Sequence, residues 1–343
     1  MAKVVPPLQV GNKLGNGHFG EVFLGQDSVH GEVAVKVLSR QPTQNDNEWN
    51  AHKISFLAEA QNLSKARHPN VVQVYGIEEL PSGNSIRFCM AYCPGGSLQS
   101  AYEAGPMTTQ IVRKFATDVC LGLEALHGRS MLHRDIKPGN ILINAAGVAQ
   151  LGDFGLVTDN LILGYGSQAG YSDHIAFEVW QGEGTSAKTD IWALGMTLYR
   201  LLHGMAWYES SPCPRFLIPQ GGFVDSLQWL PHIPKSWRRT IRKMLNDNKA
   251  LRYQSAVQVL NALSTLPTDI WQTTVKPGHV RWEQLARNRR KVVEWTEHSS
   301  KKHSWKAWSE PIGTQGRVMT LGASTCFLSK KQVIQELEKF FDV

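Results

Sequence analysis

The chain has 343 residues, 42% hydrophobic and 19% charged, with a formal net charge of +7. That balance allows a sizeable core spread over more than one lobe and excludes a disordered chain. No run approaches the roughly 18 uninterrupted apolar residues a membrane helix needs, the first residues lack a secretory leader's apolar core, and the five cysteines form no Cys-x-x-Cys. A cytoplasmic protein with reduced thiols and no membrane association is therefore expected.

In chain order, residues 8–39 read as β-structure: short Val-, Phe- and Leu-containing segments broken by Gly-Asn, Asn-Gly and His-Gly turns. A polar stretch, 41–50, leads into a helix over about 51–66 carrying Ile54, Leu57 and Leu63. His68-Pro69-Asn70 ends it, because a residue before proline is pushed out of helical geometry. Val71 to Tyr75 and Ile86 to Tyr92 read as strands, and Cys93-Pro94-Gly95-Gly96-Ser97 as a hinge. Beyond it the helical period takes over, with Ile111, Phe115, Val119 and Leu126 on one face of a helix ending near His127-Gly128. Ile141-Leu142-Ile143 and Ala149-Gln150-Leu151 read as short strands. Further helices fall at about 190–203, 237–245 and 256–263.

The chemistry sits in four motifs. Gly15-Asn16-Gly17-His18-Phe19-Gly20 falls at the turn of a hairpin, where glycines let backbone N–H groups approach phosphates. It is followed by strand, which argues against a dinucleotide-binding turn. Lys36 ends the alternating Val33-Ala34-Val35-Lys36, 16 residues after Gly20. His133-Arg134-Asp135-Ile136-Lys137-Pro138-Gly139-Asn140 offers a proton acceptor, a cation and an oxygen ligand, and Asp153-Phe154-Gly155 a second oxygen ligand. In this order the motifs resemble those of the eukaryotic-type (Hanks-type) protein kinase superfamily over residues 8–265.

The resemblance implies an α+β, two-lobed fold with a kinase region at 8–267, split into a β-rich N-lobe (8–92) and a helical C-lobe (93–267). ATP would lie between the lobes. It implies that Asp135 orients the acceptor hydroxyl and accepts its proton, and that Lys137 reaches the γ-phosphate. Asn140 and Asp153 would hold Mg²⁺, with Mn²⁺ an alternative. Lys36 would bind the α- and β-phosphates and pair with Glu59. Leu14, Gly15, Gly17, Gly20, Val22, Ala34 and Leu142 would enclose the nucleotide. Met90 would gate the pocket, and Ala91 and Cys93 would supply backbone hinge contacts. Leu63, Val74, His133 and Phe154 would form an apolar stack between the lobes. Glu178 and Arg252 match a buried ion pair, and Asp190 a brace for the catalytic loop.

Lys137-Pro138 follows the serine/threonine style of loop, so the expected activity is transfer of the ATP γ-phosphate to Ser/Thr of a protein substrate, with self-phosphorylation between Asp153 and Glu178. Candidate acceptors there are Thr158, Tyr165, Ser167, Tyr171 and Ser172, with Arg134 placed to bind such a phosphate. Gly170-Tyr171-Ser172-Asp173-His174-Ile175-Ala176-Phe177-Glu178 departs from the family's Gly-Thr-x-x-Tyr-x-Ala-Pro-Glu. Tyr171 replaces the threonine that normally contacts the catalytic aspartate and lysine, and Phe177 replaces the proline. Tyrosine or dual specificity therefore stays open, as do a catalytically silent scaffold and a small-molecule kinase.

The resemblance stops near Thr268. Residues 271–343 hold 13 of the 36 Lys/Arg and 7 of the 29 Asp/Glu, together with five of the 11 tryptophans. Basic runs among aromatics suit nucleic acid or an acidic partner, whereas tryptophans more often pack a core, as a docked tail or small accessory unit would. Both readings of 268–343 stand at this point. A strand is expected at 317–321 and a final helix capped by Ser329, with Val333, Ile334, Leu337 and Phe340 apolar.

Overall fold

Short alternating segments and tight turns build the N-terminal sheet. In a computed structural model, which describes residues 8–17, 20–65, 67–152, 173–211, 214–313 and 316–342, it comprises β1 (Gln9–Gly17), β2 (Gly20–Asp27), β3 (Gly31–Ser39), β4 (Val74–Glu79) and β5 (Ser85–Ala91). Their order is β1-β2-β3-β5-β4, every pair antiparallel. The β2–β3 turn is held by Asp27, whose Oδ1 accepts from the N–H groups of Val29 (2.9 Å) and His30 (2.8 Å), and Gly31 takes the positive φ (74°) that follows.

Helix α1 (Asp46–Lys65) begins earlier than the polarity of 41–50 suggested. Asn45 and Glu48 form a reciprocal cap: Asn45 Oδ1 accepts from the Glu48 N–H (2.9 Å) and Glu48 Oε2 from the Asn45 N–H (3.0 Å). Its buried residues, Trp49, Phe56 and Ala60, pack on Leu38, Ile86 and Phe88 of the sheet. Ile54 and Leu57 are exposed instead. The strand expected at Val71 starts at Val74, because Val71 bridges Leu151 and the Val72 N–H donates to the Leu151 carbonyl (2.9 Å). Those two residues tie the lobes together.

The helical lobe holds α2 (Leu98–Ala104), α3 (Thr109–His127), the hairpin β6 (Ile141–Ile143) and β7 (Ala149–Leu151), α4 (Phe177–Trp180), α5 (Ala187–Glu209), α6 (Lys235–Met244) and α7 (Ala256–Ser264). The buried face of α3 runs through Val112, Ala116, Val119, Leu123 and Leu126, at helical spacing, while Ile111 is exposed. Ile191, Leu194, Leu198, Leu201 and Leu202 of α5 are buried as expected. The helix kinks at Gly204 (φ 69°), where a Cβ would come within 2.5 Å of the Gly105 backbone. Only glycine meets both demands.

Residues 272–341 form a second five-stranded antiparallel sheet and a closing helix. The strands are β8 (Gln272–Lys276), β9 (His279–Ala286), β10 (Arg289–Ser299), β11 (Lys302–Pro311) and β12 (Met319–Ala323), in the order β12-β11-β10-β9-β8. Helix α8 (Lys330–Phe341) starts at the Ser329 cap with Val333 and Leu337 buried, as expected. Val280, Trp282, Val293, Trp295, Trp305 and Ala307 are buried in one core with α5 and α6 of the helical lobe. Trp295 meets Trp207 of α5 edge to face (6.2 Å), Trp282 Nε1 donates to His232 Nδ1 (2.9 Å), and Arg238 of α6 pairs with Glu338 of α8. The other sheet face mixes charges: Arg281 contacts Glu283 (2.6 Å) and Glu294 (2.5 Å), and Lys306 reaches Glu294 (3.0 Å). Among the described residues no helix is long and apolar enough to cross a membrane.

Candidate functional site

Cross-strand register sets one face of the N-terminal sheet. Lys36 lies opposite Val22 on one side and Phe88 on the other, and Ala34 lies opposite Met90. Because paired residues share a face, Val22, Ala34, Lys36 and Met90 line one side of the sheet. Lys36 is 5% exposed. The glycine hairpin ends with Gly17 opposite Gly20. A Cβ on Gly20 would lie 2.1 Å from the Val37 carbonyl oxygen, so the β2 backbone can cross β3 there only without a side chain. Leu14 is largely exposed on β1, where Gly15 pairs with Val22. Glu59 falls within α1, but its side chain and that of Leu63 lie outside the described set.

The hinge joins this face to the β6–β7 hairpin. The Ala91 N–H donates to Gln73 O (2.9 Å), Gly95 N–H to Ile143 O (2.9 Å) and Ile143 N–H to Gly96 O (2.8 Å). A bridge between Ser97 and Leu142 brings Leu142 beneath the hinge. Cys93 is buried beside Gln150 (Sγ to Oε1 3.3 Å), and burial pushes its thiol up to about 11.

The loop at 133–140 is strung on Asp190. Its carboxylate, at the start of α5, accepts from the His133 N–H (Oδ2, 3.0 Å) and the Arg134 N–H (Oδ1, 2.8 Å), and Oδ2 also lies 2.8 Å from His127 Nε2. The first two bonds hold Arg134 at φ 68°, a conformation that costs a non-glycine residue about 1–2 kcal/mol. His133 is fully buried, with Nε2 3.1 Å from Gly152 O, and the Gly152 N–H donates to Asn140 O (2.9 Å). Val74 of the expected inter-lobe stack is buried too. Phe154, Asp153 and the acceptors Thr158 to Ser172 lie outside the described residues.

On this frame the loop gathers three polar side chains. Asn140 Nδ2 donates to the Asp135 carbonyl (2.8 Å) and to Asp135 Oδ2 (2.7 Å), and Lys137 Nζ lies 2.9 Å from the same Oδ2. The third contact, absent from the expected set, is His174, with Nε2 2.8 Å from Asp135 Oδ1. Burial alone would raise the Asp135 carboxyl, but His174 and Lys137 outweigh it and hold it well below the usual carboxylate range. The carboxylate is therefore ionised throughout the neutral range. His174 was hidden because its role depends on where the chain returns after 172, which no local spacing gives.

Below the loop, Arg252 pairs with Glu178 through two bonds (2.7 and 2.6 Å), both side chains buried. The guanidinium also donates to the carbonyls of Asn246 (2.5 Å) and Lys188 (3.1 Å), which satisfies it in the interior.

Comparison with known proteins agrees with this geometry. The family model for the protein kinase domain matches residues 8–263, and the chain belongs to that family. It is 32% identical over 205 residues to the serine/threonine-protein kinase PknB of Mycobacterium tuberculosis. It is 34% identical over 200 residues to human mitogen-activated protein kinase kinase kinase 3, and 33% over 212 to mitogen-activated protein kinase kinase kinase ANP1 of Arabidopsis thaliana. These alignments cover 56–59% of this chain and 32% of each relative, so the chain spans about a third of the length of the curated relatives it matches.

Proposed function

We propose that the chain is an ATP-dependent protein kinase that transfers the γ-phosphoryl group to Ser/Thr hydroxyls of protein substrates and of its own activation segment. The observation that carries this reading is the buried trio of Asp135, Lys137 and Asn140 on a loop braced by Asp190. Phosphoryl transfer asks the protein mainly for positioning and charge neutralisation. Asp135 orients the acceptor oxygen and takes its proton as the new P–O bond forms and the bond from the γ-phosphorus to the β–γ bridging oxygen breaks, with ADP leaving. Lys137 offsets charge on the transferring group, and Lys36 does so on the α- and β-phosphates.

The donor set suits a hard divalent cation. Asn140 turns its Nδ2 toward Asp135, which directs its amide oxygen elsewhere, and Asp153 follows β7. Those two residues would hold Mg²⁺, which supplies charge neutralisation at the phosphates. Ser/Thr preference rests on Lys137-Pro138 and on the similarity to PknB, a serine/threonine-protein kinase. The test is transfer of radiolabelled phosphate from ATP to a generic protein substrate and to the chain itself, followed by phosphoamino-acid analysis. Wild type should label serine or threonine, and Asp135→Ala and Lys36→Met should not. Equal labelling by Asp135→Ala would refute the assignment.

A further inference from the structure

We infer that His174 is a positioning residue for Asp135, taking up the contact that the threonine replaced by Tyr171 makes elsewhere in the family. This rests on the reading of Asp135 as the proton acceptor. The two oxygens of that carboxylate are held differently. Oδ2 faces Lys137 Nζ (2.9 Å) and Asn140 Nδ2 (2.7 Å), both from the catalytic loop itself. Oδ1 faces His174 Nε2 (2.8 Å), which arrives from the far side of the activation segment. Its approach is off the line of an ideal N–H···O bond, so the contact is a close polar one held by its surroundings.

His174 stands on a rigid base. On one side Asp173 Oδ2 accepts from the Tyr208 hydroxyl (2.7 Å) of α5. On the other, Ile175 and Ala176 are buried and lead directly into Glu178, clamped by Arg252. The imidazole is 4% exposed, so the packing around it leaves little room to swing away. A ring held so firmly against one oxygen fixes the rotation of the Asp135 carboxyl about its Cβ–Cγ bond. With Oδ1 packed against His174, the plane of the carboxylate is set for the acceptor hydroxyl, whose alignment with the phosphorus governs the rate. The same contact couples catalysis to the activation segment: any change that shifts Asp173 to Glu178 moves the acceptor.

The test compares His174→Phe, a ring without a donor, with His174→Gln, a donor without the ring, in the full chain. Single-turnover and steady-state phosphorylation of a protein substrate are measured alongside ATP binding by calorimetry and the melting temperature. Phe should lower kcat at least tenfold with the KM for ATP unchanged within twofold, and Gln should recover most of that loss. Full kcat in Phe overturns the inference, and so does a Gln variant as slow as Phe at an unchanged melting temperature. If Phe does not fold, Gln decides alone: kcat within threefold of wild type supports the role and a tenfold loss overturns it. Failure of the wild-type chain to transfer phosphate would instead overturn the kinase reading on which this depends.

Discussion

Trp282 gives the sharpest test of how the C-terminal sheet is attached. Its side chain is fully buried, donates from Nε1 to His232 Nδ1 (2.9 Å), and packs edge to face on Phe341 (5.3 Å) and His232 (5.9 Å). Trp282→Ala removes the whole ring from a core shared with the helical lobe, a change that costs about 3–5 kcal/mol. Trp282→Phe keeps most of the apolar contact but leaves His232 Nδ1 without its donor, at about 1–3 kcal/mol. Against the 5–15 kcal/mol typical of native domains, the alanine change removes a large share. Guanidinium unfolding followed by far-ultraviolet circular dichroism, with kinase activity read on the same samples, should show one transition moved to lower denaturant, with activity lost together with the sheet. A loss under about 1 kcal/mol, or a separate early transition that leaves kinase activity untouched, would refute the shared core.

Other outcomes follow from single contacts. Arg252→Met should destabilise the chain by about 3–5 kcal/mol because Glu178 is left charged and buried, and Arg252→Met/Glu178→Leu should recover much of it; equal losses in the two, by thermal unfolding, would argue against the pairing. Gly20→Ala should weaken ATP binding in calorimetry, since its Cβ would meet Val37 O at 2.1 Å and force the hairpin outward; unaltered affinity would contradict this. His203 and His232 are held down to about 3 by burial, so both are neutral when folded and take up a proton when unfolded below about 6.5. Their share of stability is complete above that pH and is lost as pH falls toward 3, at about 1.4 kcal/mol per unit for each; unfolding free energies at pH 7 and 5 that coincide would contradict this.

The expected site motifs were readable because their residue types fall at close spacing. Gly15, Gly17, Gly20 and Lys36 take their places from adjacent strands, whereas 133–140 keeps its polar residues close together in the chain but is held by distant Asp190. The boundaries of α1 and β4 were missed where side chains intervene: Asn45 and Glu48 cap a helix start inside a stretch that reads as loop, and Val71 and Val72 pair with Leu151 rather than with β5. The C-terminal sheet had a period-two signal in Val280-x-Trp282, Val293-x-Trp295 and Trp305-x-Ala307, with turns at Pro277-Gly278 and Arg287-Asn288. The lysines and arginines on the alternate positions obscured it. The runs at 287–291 and 301–303 read as basic clusters although they straddle the turns between strands, and Arg281 and Lys306 face Glu294 on the neighbouring strand. His174 carried no local signal, because its partner lies 39 residues away.

The border of the recognised family region, at residue 263, has a practical meaning. A chain stopped there would lose the indoles that blanket one flank of the helical lobe, baring Trp207 and the neutral imidazole of His232 to solvent. Such a fragment should self-associate through that flank, and poor yield from it would say nothing about the catalytic machinery.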